Sequence, residues 1–152
     1  MSNTFNSIED ILDFAVEKEY EARDFYNEWA EKVKNETLKE VLKSFAAEEQ
    51  KHANLINEVK AGKKFKPQEG KITNLKISDY LVDYTPSEDM SYQDALIVAM
   101  KREKAAFKLY TDLAESSDDE NIKQLFNALA QEEAKHKLRL ETIYDDVAYP
   151  EN

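Results

Sequence analysis

The sequence predicts an all-α protein, a four-helix bundle made of two helical hairpins joined by a long crossover. Glycine and proline are scarce, with two and three in 152 residues. The abundant Ala, Leu, Glu and Lys are strong helix formers. Apolar residues recur at three- and four-residue spacing through four separate stretches. The second half repeats the first at a fixed offset of 84 residues, as in Glu19 and Glu103 or His52 and His136. Such a repeat marks a duplicated supersecondary unit.

The first helix carries the seam Ile8, Ile11, Ala15, Glu19, Ala22, Tyr26, Trp29 and Val33. Ser7 with Asp10 opens it like a capping box in which Asp replaces Glu. A tight joint follows near Asn35, a cap for the second helix. That helix presents Leu38, Leu42, Phe45, Glu49, His52, Ile56 and Val59. Residues 62–90 differ. Gly62, Pro67, Gly70 and Pro86 punctuate them, and no helical period is sustained. The stretch is long enough to cross the bundle and start the third helix parallel to the second. Its apolar residues Ile72, Leu75, Ile77, Leu81 and Val82 predict that it packs down, with a short helix from Ser78 to Tyr84.

The third helix repeats the pattern with Tyr92, Leu96, Ala99, Glu103, Ala106, Tyr110 and Leu113, opened by Ser91 and Asp94. A second tight joint lies near Asp118. The fourth helix, capped by Asp119, presents Ile122, Phe126, Leu129, Glu133, His136, Leu140 and Ile143. Short joints make antiparallel neighbours. Hairpins are therefore expected over 7–61 and 91–146, within a single domain spanning 1–152.

The formal net charge of −11 disfavours a nucleic-acid role and binding to anionic membranes. There is no cysteine, hence no disulfide, zinc–thiolate site, iron–sulfur cluster or thiol nucleophile. No stretch approaches the length of a membrane span, and the N-terminal residues lack a basic segment followed by an apolar run. A cytoplasmic location is the expectation.

The chemistry lies in the seam. Glu19, Glu49, His52, Glu103, Glu133 and His136 occupy positions otherwise filled by Leu, Ile, Phe and Ala. The chain's two histidines each follow a glutamate by three residues, in Glu49-Gln-Lys-His52 and Glu133-Ala-Lys-His136. Glu and His at that spacing share a helix face. Buried glutamates are rare unless paired or metal-bound. Four facing one core must be protonated or neutralised by cations, and two divalent ions would cancel four carboxylates. A Glu from each of two helices, with Glu-x-x-His from each of the other two, is the di-iron or di-manganese carboxylate pattern.

These residues resemble the ferritin-like superfamily, and within it the rubrerythrin-like family. The resemblance covers nearly the whole chain. Glu19-Tyr-Glu-Ala22-Arg23-Asp-Phe-Tyr26 is similar to the rubrerythrin first-helix ligand segment. The segments around Glu49 to His52 and Glu133 to His136 are similar to its two Glu-x-x-His helices. The resemblance implies that Glu19 and Glu103 are terminal ligands, one per metal. It implies that Glu49 and Glu133 bridge, carrying the catalytic pair, and that His52 and His136 each cap one metal. It further implies two iron ions; the carboxylate and imidazole donors also suit manganese, and zinc can bind opportunistically.

Two departures bear on mechanism. Rubrerythrins usually carry a second acidic ligand three residues after the third-helix glutamate, where this chain has Ala106, the counterpart of Ala22. The two metal positions are thus expected to be equivalent. The cysteine-ligated rubredoxin domain of full rubrerythrins has no counterpart here, so electrons would come from a separate donor protein. The function implied is a di-iron oxidoreductase, a peroxidase or ferroxidase that reduces hydrogen peroxide or oxygen. The alternatives are a protein that sequesters or delivers iron without turnover, and a bundle whose metal is structural. The resemblance also allows a homodimer, including one swapped across 62–90. For Tyr26 and Tyr110, core packing and a hydrogen bond to a ligand carboxylate are both open. For Glu48 and Glu132, a hydrogen bond from a ligand histidine and a solvated flank are both open.

Overall fold

A computed structural model of the chain describes residues 7–62, 92–117 and 119–148. They form four helices, α1 (Ile8–Lys32), α2 (Glu36–Lys60), α3 (Tyr92–Ser116) and α4 (Glu120–Ala148), with no strand among the described residues. α1 packs along α2, and α3 along α4. The chain divides into two compact units, one for each hairpin. Of the expected crossover at 62–90, residues 63–90 with the short helix lie outside the described residues, as do the Ser91 cap and the joint residue Asp118. No helix among the described residues is long and apolar enough to cross a membrane.

In the first hairpin, Ser7 Oγ accepts a hydrogen bond from the Asp10 amide at 3.1 Å, which fixes the start of α1. Glu9 and Asp10 stand at the positive end of the helix dipole and Lys32 at the negative end. Val33 turns extended and stops the helix. Asn35 Oδ1 then accepts from the Leu38 amide at 3.0 Å and starts α2. After α2 the backbone reaches φ +77° at Gly62, the left-handed position that favours glycine, and the Gly62 amide donates to the Val59 carbonyl at 3.1 Å. Ile11, Leu12, Leu42 and Ile56 are fully buried. Tyr26 meets Phe45 edge to face at 5.4 Å between ring centres. Polar struts tie the two helices: Arg23 Nη1 donates to Gln50 Oε1, Asn57 Nδ2 to the Tyr20 hydroxyl at 3.3 Å, and Lys60 pairs with Asp13.

The second hairpin is capped by Asp119, whose Oδ1 accepts from the amides of Asn121 at 2.8 Å and Ile122 at 3.3 Å. Leu96, Leu113, Ile122 and Leu140 fill its core, and Tyr110 stacks on Phe126 at 6.0 Å. Offset by 84, Phe126 corresponds to Leu42 and Leu129 to Phe45. The aromatic and the leucine have exchanged neighbouring seam positions, a volume-conserving swap of the kind cores tolerate. α4 continues to Ala148, two residues beyond the expected end.

Seam residues are buried as the periodicity requires, with three exceptions that are half-buried. Val33 lies past the end of α1, Ile143 lies in the last turns of α4, and Ala106 is mid-helix. The side chains of Ile8 and Tyr92 lie outside the described residues.

Candidate metal centre

Helix geometry makes each triad. Glu49 and His52 stand one turn apart on α2 and share its inward face. Glu19 is brought opposite them because α1 returns antiparallel through a three-residue joint. The three side chains are 2%, 2% and 6% exposed. One donor atom from each lies within 4.8 Å of the other two. His52 Nδ1 stands 3.6 Å from Glu19 Oε2 and 3.5 Å from Glu49 Oε1.

α3 and α4 reproduce this arrangement. Glu103, Glu133 and His136 are buried, and their donor atoms again lie within 4.8 Å of one another. His136 Nδ1 stands 3.6 Å from Glu103 Oε2, the separation found for His52 and Glu19. All six residues singled out in the sequence therefore converge, three in each hairpin.

The separations fit a shared cation. They exceed an ordinary N–H···O distance. Two ligands about 2.1 Å from one ion stand roughly 3.0–3.5 Å apart at octahedral to tetrahedral angles. With Nδ1 turned to the carboxylates, a neutral imidazole carries its proton on Nε2, leaving Nδ1 a lone pair for a metal. Two carboxylates per triad balance one divalent ion, which offsets the cost of removing their charge from water. Two oxygens and one imidazole nitrogen suit first-row divalent metals such as iron, manganese or zinc.

Surrounding residues sort themselves. Tyr26 and Tyr110 are each 1% exposed and pack on aromatic rings of their own hairpins. Glu132 is on a solvated flank, paired with Lys135 at 3.3 Å. Glu48 is half-buried. The sequence reading passed over Arg102, which precedes Glu103. It is half-buried with Nε shielded from solvent, and its counterpart Lys18, also half-buried, pairs with Glu21 at 2.9 Å. The signal was an arginine standing where the repeat has a lysine, beside a ligand, since guanidinium tolerates partial burial better than ammonium.

Comparison with known proteins agrees with this geometry. The family model described as Rubrerythrin matches residues 10–144, which takes in both hairpins. A hypothetical protein from Pyrococcus furiosus has a similar solved structure, with 29% identity, a TM-score of 0.73, and coverage of 96% of this chain and 93% of that one. A Thermotoga maritima protein described as ferritin-like and di-iron-carboxylate shares the fold at 18% identity, with a TM-score of 0.78 over 97% of this chain and 99% of its own. No functionally curated protein matches the chain.

Proposed function

The chain belongs to the rubrerythrin family, and from that premise we propose that its two triads form one dinuclear metal centre that reduces hydrogen peroxide or oxygen. The observation that carries this reading is the duplicated, buried Glu, Glu, His triad with matching separations in both hairpins. Glu19 and His52 would hold one ion, and Glu103 and His136 the other. Glu49 and Glu133 would bridge, holding the pair together. A redox-active pair such as two ferrous ions supplies the two electrons that, with two protons, convert one hydrogen peroxide to two waters.

The chain's own contribution is to fix six donors before metal arrives and to keep them dry. Glu49 and His52 are fixed in register by α2, and Glu133 and His136 by α4. Imidazole Nε2–H is left as the histidine's remaining donor, so the carboxylates are the groups available to accept a proton near the reacting oxygens. Ala22 and Ala106 stand three residues after the terminal glutamates on α1 and α3. They add no further carboxylate and leave room beside the ligands.

The test is stopped-flow mixing of the anaerobically loaded diferrous protein with peroxide and, separately, with oxygen, following ferric absorbance. Rapid oxidation by peroxide supports a peroxidase, and preference for oxygen supports a ferroxidase. If neither oxidant reacts faster than with free ferrous ion, the enzyme reading fails and iron sequestration replaces it.

A further inference from the structure

A sliding motion of α1 along α2 would carry Glu19 past Glu49 and His52, which stay in step with each other because one helix holds both. The register between the two helices is therefore what completes the first triad. Two cross-helix links beside the triad fix it, and both involve residues next to ligands. Gln50, which follows Glu49, accepts a hydrogen bond from Arg23 and donates one to Asn54 at 3.0 Å. Tyr20, which follows Glu19, accepts one from Asn57 at 3.3 Å. The Arg23 guanidinium stacks on the Tyr20 ring at 4.6 Å and joins the two links into one network. On α2 the network runs from Gln50 to Asn57 and so brackets His52. Asp24 accepts from Arg23 Nε at 2.9 Å and offsets its charge, which leaves the effect of the network geometric. Tyr20, Arg23, Gln50 and Asn57 are all half-buried, where hydrogen bonds are stronger than in open water.

The second hairpin holds the same triad but cannot build this network. At the offset of 84, Tyr20, Arg23, Gln50, Asn54 and Asn57 become Lys104, Phe107, Ala134, Leu138 and Glu141. The side chains of Phe107, Ala134 and Leu138 have no hydrogen-bond donor or acceptor, so the link from Arg23 through Gln50 to Asn54 has no equivalent. Glu141 pairs with Lys137 on its own helix at 2.6 Å. Phe107 is 36% exposed and Leu138 64%, so little apolar contact stands in for those bonds.

We propose that Tyr20, Arg23, Gln50 and Asn57 are positioning residues that ready the first triad for metal, so that one ion fills Glu19, Glu49 and His52 before another fills Glu103, Glu133 and His136. The proposal rests on the dinuclear reading above. The triads match in donors and in separations; they differ in how firmly register is held before metal arrives. A site that is competent for only part of the time binds more weakly by that fraction. Ordering it on binding also costs entropy that a fixed site has already lost. One net hydrogen bond sets the scale at about tenfold in affinity. The ion in the second triad is then also the first to leave.

The test titrates zinc alone, which is redox-inert, into the full metal-free chain carrying nitrogen-15-labelled histidine. The chain has two histidines, so NMR of the imidazole nitrogens reads each triad separately. At one equivalent His52 should be about three-quarters coordinated and His136 about one-quarter, the split that a tenfold difference gives for tight binding. Gln50→Ala should remove the lead of His52, and Gln50→Glu, which keeps an acceptor for Arg23, should preserve it. Lys104→Tyr, Phe107→Arg, Ala134→Gln, Leu138→Asn and Glu141→Asn together, which transplant the network, should bring His136 level. Histidines that respond in step in the wild type, or His136 first, would overturn the proposal. So would a Gln50→Ala chain that melts at a lower temperature yet keeps the order, since the network would then be structural only. A plateau at one zinc would overturn the proposal together with the dinuclear reading, whereas two zincs taken up in step would overturn it alone. Zinc does not turn over, so the order is read even if peroxide and oxygen prove unreactive.

Discussion

Polar struts on the outside of the first hairpin stand at positions where the second carries other residue types, yet the two inner faces agree closely. His52 and His136 stand at the same 3.6 Å from Glu19 and Glu103. Outside, Arg23, Gln50, Asn57 and Tyr20 link α1 to α2, while the corresponding positions of α3 and α4 hold Phe107, Ala134, Glu141 and Lys104. A duplicated unit keeps what both copies need and varies the rest. Retention of the triads while the flanks diverged assigns the shared chemistry to the inside and the difference in contacts to the outside.

The largest effect should come from the bridging positions. Glu49→Ala and Glu133→Ala should each weaken metal binding roughly 100-fold or more, since on the proposed reading each carboxylate would touch both ions and its loss would leave charge imbalance in a dry site. Ferrous titration by calorimetry would show it. Binding that survives either substitution would mean that the triads act separately.

Equivalence of the halves is tested next. Glu19→Ala and Glu103→Ala should each remove one ion and lower the rate of peroxide-driven oxidation to similar extents. A large asymmetry would point to an unmatched group near one triad, with half-buried Arg102 the first to examine.

Metal should also stabilise the fold, because the ions bind a site that the unfolded chain lacks. At a hundredfold excess over the dissociation constant, each ion contributes about 2.7 kcal/mol. That corresponds to roughly 5–11 °C in melting temperature for a chain of this size. Coincident melts of metal-free and loaded protein would contradict the account of the buried carboxylates.

The smallest effect separates the outer faces. Gln50→Ala should cost about 0.5–1.5 kcal/mol by breaking a cross-helix strut. Phe107→Ala, at a half-solvated position with no strut to break, should cost less. The reverse order, measured by chemical denaturation, would mean that the second hairpin's flank is more structural than its exposure suggests.

The fold class, both hairpins and the burial of all six candidate donors were legible because burial forces periodicity. Glu19 in a run of Ile11, Ala15, Ala22 and Tyr26 can only face inward. The caps at Ser7, Asn35 and Asp119 were legible because few residues satisfy a first-turn amide. The exchanged aromatics at Phe45 and Phe126 were not, since either order fills the same volume. Nor was the half-burial of Arg102, which depends on its neighbours in space. The end of α4 ran past its expected limit because Asp145 and Asp146 are ordinary in an exposed helical turn, and no glycine or proline intervenes before Pro150.

The central claim, that two triads make one dinuclear centre, is tested most directly by anaerobic ferrous loading followed by elemental analysis and Mössbauer or magnetic measurement of the same sample. Two ions per chain with magnetic coupling between them is the predicted result. A plateau at one ion, or two ions without coupling, would contradict it.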